Sequence, residues 1–253
     1  MGNRLLKKII YKLTPNSLID LYQAPLKSVM EKPDPFVNLS YSQEGEDLIL
    51  RRIFEGKKNG FFVDVGAHHP KRFSNTYLFY KIGWRGINID AMPGSMKEFN
   101  RVRPDDINIE YGISDVEEES HYYIFNEPAL NTFSKDLAKL KDGFKNYRIL
   151  DIVTIKLMPL NFILEQYLSK KQEIDFLNID VEGLDYKVLK SFDFEKWKPK
   201  IILIEDCNSE VETIKKSDID IMLTHNNYSL LAKTKNTLIY ENGLKFSATN
   251  SNF

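Results

Sequence analysis

The sequence is poor in cysteine, with Cys207 as the single thiol among 253 residues. One thiol excludes an internal disulfide and a cysteine-only zinc site. The chain therefore does not need an oxidising compartment to fold, and we expect it to be cytoplasmic. Long apolar runs are also lacking: no stretch approaches the roughly 20 residues that a membrane-spanning helix needs, so we expect no transmembrane segment.

An excess of charge of one sign is missing too. The chain carries 35 basic and 36 acidic residues, which gives a net charge of −1. Proteins that bind nucleic acid in bulk need a basic excess to neutralise phosphates, so this balance argues against a nucleic-acid partner. At roughly 150 residues per domain, the length fits one large domain with an appendage.

The first 40 residues differ in pattern from the rest. Apolar residues recur at helical spacing between Leu5 and Leu13, with basic residues among them, and prolines at 33 and 35 mark a linker. We therefore predict a helical N-terminal appendage over residues 1–40. Its apolar face is expected to pack on the rest of the chain or on a second subunit of a homodimer, and weak contact with a membrane surface is the alternative.

From residue 41 onward, apolar runs of strand length alternate with amphipathic segments. This alternation predicts an α/β domain over residues 41–246, with a mostly parallel sheet covered by helices on both faces. Two runs on either side of a polar turn at Lys235-Asn236 predict a C-terminal antiparallel hairpin. Residues 114–150 are expected to cross over the sheet, and residues 247–253 to fray. The predicted parallel strands are Phe61–Val65, Gly86–Asp90, Ile107–Ile113, Ile174–Ile179 and Ile201–Ile204.

Two aspartates mark the ends of the first two predicted strands. Asp64 precedes Gly66 and Ala67, and Asp90 ends the second strand. Ligands of open α/β sheets bind beyond the carboxyl ends of the strands, where an acid roughly 20 residues after the first turn contacts the ribose of a nucleoside. The pair therefore favours nucleoside binding over the alternative that both acids only cap helices. The glycine fingerprints of dinucleotide-binding and phosphate-binding loops are lacking, which disfavours a nicotinamide enzyme.

Six segments along the chain carry a common pattern, namely Ser42–Leu50, Phe62–His68, Ser74–Tyr77, Gly83–Asp90, Asn178–Gly183 and Pro199–Glu205. In this order they resemble the FkbM family of S-adenosylmethionine-dependent methyltransferases, and the resemblance covers about residues 40–240. The resemblance implies a class I methyltransferase (Rossmann-like) fold with S-adenosyl-L-methionine as cofactor. It implies that the loop at Asp64 holds the methionine part, that Asp90 holds the ribose, and that Ser114-Asp115 lies near the adenine. The implied cofactor-binding residues are Gln43, Glu46, Asp64, Gly66, Ala67, His68, Asn75, Thr76, Asp90, Ala91, Ser114, Asp115 and Asp180.

The loop after the first strand departs from the family pattern. Many members have glycine after the stretch that ends at His68, whereas this chain continues with His69 and Pro70. The pKa of an unperturbed imidazole lies near physiological pH, so His69 is a catalytic candidate as general base. The alternative is a loop histidine that only bonds the backbone.

Carboxylates also follow two later strands. Asp180 ends one strand, and Glu205 and Asp206 end the next. Neighbouring strand ends lie about 5 Å apart, so these acids are expected to converge, and their repulsion raises their pKa values unless a cation lies among them. We therefore predict catalytic roles for Asp180 and Glu205 and a divalent-metal site (Mg, Mn or Fe) at Asp180, Glu205 and Asp206; a metal-free site is the equal alternative. Asp185 is expected to cap the next helix and to interact with its dipole, and the role of Glu182 stays open.

These residues and the resemblance predict an enzyme, namely an S-adenosylmethionine-dependent O-methyltransferase that acts on a hydroxyl of a sugar or nucleotide sugar. The segment Gly86–Pro93 resembles the branch of the family that serves bacterial capsules, which implies a role in surface polysaccharide. Two alternatives remain. One is a nucleotide-sugar dehydrogenase or epimerase, and the other is a non-catalytic S-adenosylmethionine-binding protein that docks on a partner through residues 1–40.

Overall fold

The structure is a computed structural model that describes residues 34–206 and 210–243. Most of the predicted N-terminal appendage, Cys207 and the predicted tail at 247–253 lie outside the described residues. Within the described part of the chain, no helix combines the length and apolar character that crossing a membrane requires. The cytoplasmic location and the homodimer stay predictions.

The described residues contain ten strands and eight α-helices, numbered here in chain order. A short 3-10 helix covers Pro128–Leu130. The strands are β1 (Phe61–Val65), β2 (Arg85–Asp90), β3 (Ile107–Glu110), β4 (Gly112–Ser114), β5 (Glu118–Phe125), β6 (Ile149–Pro159), β7 (Phe176–Ile179), β8 (Ile201–Glu205), β9 (Tyr228–Lys233) and β10 (Thr237–Asn242). The helices are α1 (Glu46–Ile53), α2 (Tyr77–Lys81), α3 (Met96–Val102), α4 (Lys135–Lys141), α5 (Leu160–Tyr167), α6 (Asp185–Lys190), α7 (Val211–Ile214) and α8 (Asp218–His225).

Seven strands form the central sheet in the order β3-β2-β1-β7-β8-β10-β9. The first five strands in this order, β3, β2, β1, β7 and β8, pair in parallel, and β10 runs antiparallel to both β8 and β9. Parallel sheets need cover on both faces, and this one has it: Phe62 packs into one apolar cluster and its neighbour Val63 into another. The predicted α/β class, the mostly parallel sheet and the C-terminal hairpin are confirmed.

A second sheet lies over the carboxyl ends of the first. Its three strands have the order β4-β6-β5, and with the 3-10 helix and α4 they form residues 112–159, which we call the roof. The predicted excursion over the sheet is thus present. The prediction of one strand over Ile107–Ile113 is wrong, because β3 ends at Glu110 and β4 begins at Gly112 in the second sheet. The Tyr111 N–H still bonds the Asp90 carbonyl of β2, and the chain then leaves the central sheet. Gly112 pairs with Leu157 of the roof instead, where a Cβ would stand 2.3 Å from the Leu157 side chain.

Candidate active site

A cavity of about 470 Å³ opens between the roof and the carboxyl ends of β1, β2, β7 and β8. Its volume lies in the range of small-molecule sites, and its place is where open α/β sheets bind ligands. Ten of the residues predicted for the site line it: Gln43, Asp64, Gly66, Ala67, His68, Asn75, Asp90, Ala91, Asp180 and Glu205.

Asp64 is held in place from both sides. The Thr76 hydroxyl donates to Asp64 Oδ2 (2.7 Å) and the Asn178 amide donates to Oδ1 (2.9 Å). Burial raises the pKa of Asp64, and the fully buried guanidinium of Arg103 opposes this rise. Arg103 also donates to the Thr76 hydroxyl (2.9 Å). Thr76 does not line the cavity, so its contacts position Asp64 instead of touching a ligand.

Asp90 is the acid at the end of β2. The His68 N–H donates to Asp90 Oδ2 and the Met92 N–H donates to Oδ1, each at 2.8 Å. Burial raises the pKa of Asp90, and these two backbone donors oppose the rise. A carboxylate has about four lone-pair positions, so Asp90 keeps the capacity to accept a hydrogen bond from a ligand hydroxyl even with these backbone donors and the nearby Ser95 hydroxyl.

The two histidines after β1 have different surroundings. His68 lines the cavity with a left-handed backbone (φ 54), and its buried Nε2 has no hydrogen-bond partner among the described residues. Burial lowers the pKa of His68 to about 4, with further lowering by the charge of Arg72, so the ring is neutral at pH 7. His69 is outside the cavity wall, and its Nδ1 accepts from the N–H groups of Lys71 (3.0 Å) and Arg72 (2.9 Å). These backbone contacts of Nδ1 are those of the loop-histidine alternative, and the general-base role of His69 stays a prediction.

Ser114 and Asp115 were predicted to lie near the adenine, but their neighbours in the chain reach the cavity instead. Ser114 is buried, and Asp115 pairs with Lys190 (2.7 Å), which lowers the pKa of Asp115. Neither residue lines the cavity, whereas Tyr111 and Ile113 do. The sequence could have predicted Tyr111 and Ile113, because side chains alternate along an extended segment and residues 111 and 113 therefore share a face that residue 114 does not.

Three carboxylates converge at the ends of β7 and β8. Asp180, Glu182 and Glu205 each place one oxygen within 4.8 Å of the other two. We call them the acid cluster. The Asp180 side chain is exposed to the cavity but is closely surrounded by protein atoms. The resulting loss of hydration is the largest cause that raises its pKa, and the negative charges of Glu205 and Asp185 raise it further. Asp206 was predicted in this group but is not part of it.

Asp185 was predicted to cap the helix that follows. Its carboxylate instead accepts from the N–H groups of Val181 and Gly183, both at 3.0 Å, and so holds the turn before α6. Burial raises the pKa of Asp185 to about 6, although the two backbone donors oppose the rise. The cap prediction is wrong, because the bonded N–H groups belong to the turn and not to the helix. Asp185 does lie in the first turn of α6, where an acid interacts favourably with the helix dipole.

The C-terminal hairpin fixes the segment that precedes α1. Glu46 is buried and accepts from the Thr237 hydroxyl (3.1 Å), while Glu44 accepts from the Asn236 N–H (2.9 Å). Gln43, which directly precedes Glu44 in the chain, lines the cavity, but Glu46 does not. Glu46 also accepts from the Glu44 N–H (2.9 Å), so it joins the start of α1 to the hairpin, and its predicted role at the cofactor stays a prediction.

Two ion pairs join the roof to the loops below it. Arg72, from the loop after β1, donates to both carboxylate oxygens of Glu127 (2.8 and 3.1 Å). Lys141 of α4 pairs with Glu182 at 2.7 Å. All four side chains line the cavity. The sequence left the role of Glu182 open and did not predict either pair, because nothing in the spacing of these residues links them.

Residues 64–230, more than half of the chain, match the family model of the methyltransferase FkbM domain. Among solved structures, the chain is similar to one from Staphylococcus aureus that is provisionally named a caffeoyl-CoA O-methyltransferase. The TM-score is 0.42 at 9% identity, over 94% of this chain and 97% of that chain. This structural similarity is too low to support a conclusion about activity. No curated protein sequence matches the chain.

Proposed function

The chain belongs to the FkbM methyltransferase family, and we propose that it transfers a methyl group from S-adenosylmethionine to a hydroxyl oxygen of a sugar or nucleotide sugar. Membership supports a class I fold and the use of S-adenosylmethionine. The observation that carries the choice of a hydroxyl acceptor is the acid cluster, since paired carboxylates at the cavity wall accept hydrogen bonds from hydroxyl groups.

The charges of the cavity suit this cofactor. Among the described residues that line it, six carboxylates stand against the two cations Arg72 and Lys141. An acidic site complements the positive sulfonium of S-adenosylmethionine. In this assignment Asp90 accepts from the ribose hydroxyls, the turn at Gly66 lies along the methionine part, and Tyr111 and Ile113 cover the adenine.

When bound, the cofactor supplies an electrophilic methyl group on sulfur. The residues of this chain hold the acceptor beside it and exclude water under the roof. Asp180 and Glu205 accept hydrogen bonds from the acceptor hydroxyl. The side chains of Asp180 and Glu205 both line the cavity, and in this proposal the ionised carboxylate of the pair takes the proton that the hydroxyl loses.

A divalent metal remains part of the proposal as an alternative way to hold the hydroxyl. The oxygens of the acid cluster are ligands that Mg²⁺ and Mn²⁺ prefer, with Glu182 in the place predicted for Asp206. A metal there would bind the hydroxyl oxygen and lower its pKa. If turnover is unchanged after EDTA treatment, the metal is not required. Loss of turnover that Mn²⁺ or Mg²⁺ restores would support it.

The choice of a sugar for surface polysaccharide rests on the resemblance of Gly86–Pro93 to the capsule branch of the family. The test is incubation with methyl-labelled S-adenosylmethionine and a panel of nucleotide sugars, free sugars, amines and thiols, followed by mass spectrometry. We expect label on a sugar hydroxyl. Label only on an amine or thiol would overturn the hydroxyl assignment.

Two variants connect that assay to the site. Asp180→Asn is expected to lower turnover with little change in S-adenosylmethionine affinity, while Asp151→Asn, at an exposed position of the roof, should behave as wild type. Cofactor binding without transfer to any acceptor would favour the non-catalytic alternative. A change of NADH fluorescence on mixing would favour the dehydrogenase or epimerase.

A further inference from the structure

The turn between β7 and α6 is held by the roof as well as by its own strand. The Thr132 hydroxyl donates to the Glu182 carbonyl at 2.6 Å. Lys141, one helix further along the roof, pairs with the Glu182 carboxylate at 2.7 Å. Both the backbone and the side chain of Glu182 are therefore fixed from above.

The backbone of this turn needs that support. Glu182 has φ 52, in the left-handed region that residues other than glycine seldom adopt, and such a conformation persists only where its surroundings impose it. Gly183 follows at φ 104, and a Cβ on it would stand 2.8 Å from Leu137 Cδ1 of α4. Helix α4 can thus approach the turn closely because residue 183 has no side chain.

The same glutamate belongs to the acid cluster. One Glu182 oxygen lies within 4.8 Å of oxygens of Asp180 and Glu205, so Lys141 is a positive charge at the border of three carboxylates. Without an adjacent cation, these like charges repel one another and favour conformations in which the side chains are further apart.

We propose that Lys141 is a positioning residue for methyl transfer: through Glu182, it holds the acid cluster in the arrangement that receives the acceptor hydroxyl. In this proposal the roof covers the site and also supplies Lys141, the cation that holds the acid cluster in place. The proposal rests on the proposed function for its catalytic part, and on the Thr132 and Lys141 contacts for its structural part.

The test compares Lys141→Met with Lys141→Arg and with Lys139→Met, a control on the exposed side of the same helix. We expect Lys141→Met to lower kcat about tenfold or more, while the Kd for S-adenosylmethionine by calorimetry changes less than about twofold. Lys141→Arg should recover most of kcat, because it restores the charge. Lys139→Met should match wild type.

A second measurement does not depend on turnover. Hydrogen exchange of the segment 180–185 should be faster in Lys141→Met than in Lys139→Met, because the turn loses its clamp. Equal exchange in the two variants would overturn the proposal, as would a kcat in Lys141→Met equal to that of Lys139→Met. A loss of cofactor affinity as large as the loss of kcat would also overturn it. If wild type transfers no methyl group, the proposed function fails, and the exchange rates alone decide whether Lys141 positions the turn.

Discussion

A Cβ on Gly66 would stand 1.6 Å from the carbonyl oxygen of Asp180, so the turn after β1 lies directly on the turn after β7. Gly66 also has φ 84, which favours glycine. This contact brings the β1 turn, predicted to hold the cofactor, against the strand end that carries the acid cluster. One cavity can therefore hold both reactants because residue 66 lacks a side chain.

We predict that Gly66→Ala lowers the free energy of unfolding by about 2–4 kcal/mol and weakens S-adenosylmethionine binding, because the new methyl group meets backbone that cannot move aside. Urea unfolding and calorimetry measure the two effects. The matched control is Gly56→Ala, at φ 82 with nothing within 4 Å of its Cβ, which should cost only about 1 kcal/mol. Equal losses in the two variants would contradict the close contact.

Asp185 and His68 are predicted to give stability opposite dependences on pH. The pKa of Asp185 is raised from 3.8 to about 6, so the folded state binds its proton more tightly than the unfolded state. That contribution is present at low pH and is lost as pH rises from about 4 to about 6. The pKa of His68 is lowered from 6.5 to about 4, so its contribution is present above about pH 6.5 and is lost as pH falls.

Each contribution is on the order of 3 kcal/mol, so the two nearly cancel in wild type. As pH rises from 4 to 6, the free energy of unfolding of His68→Gln should therefore decrease relative to wild type. Over the same range, that of Asp185→Asn should increase relative to wild type. Urea unfolding at several pH values measures both curves. All three proteins share the other buried acids, so the contributions of those acids cancel when each variant is compared with wild type. Parallel curves for the two variants would show that neither pKa shift is present.

Breaking the Arg72–Glu127 pair is expected to speed release of the cofactor, because the pair joins the β1 loop to the roof across the cavity mouth. The pair is partly exposed, so a coupling of about 0.5–1 kcal/mol is expected. Arg72→Ala and Glu127→Ala should each raise the dissociation rate of S-adenosylmethionine about two- to fivefold in stopped-flow experiments, and the double variant no further. The pair Arg101–Glu98, on α3, supplies control substitutions. Fully additive effects at Arg72 and Glu127 would contradict a shared role.

The central sheet was predictable because its strands are short apolar runs that end at glycine or an acid, such as Phe61–Val65 before Gly66. The end of β3 was not. Ile107–Ile113 has one continuous alternation of apolar and other residues in the sequence, and it divides at Tyr111 because Gly112 finds its partner in Leu157, far along the chain. Local pattern predicts that a strand forms, but tertiary pairing decides which sheet it joins.

The site was predictable where strand ends alone place the residues, as at Asp64 and Asp90. It was not predictable where a side chain depends on a distant partner. Glu182 takes the place predicted for Asp206 because its left-handed backbone and its pair with Lys141, 41 residues away, hold its carboxylate beside Asp180. No spacing rule predicts such a contact.

The central claim is that this cavity binds S-adenosylmethionine with Asp90 on the ribose, and calorimetric titration tests it most directly. Wild type should bind the cofactor at one site per chain. Asp90→Asn should bind it about tenfold or more weakly, because hydrogen bonds to a charged acceptor are worth about 1.5–3 kcal/mol. Asp105→Asn, which alters an exposed pair with Arg85, should bind as wild type does. No heat of binding with wild type, or equal affinity in Asp90→Asn and wild type, would contradict the account.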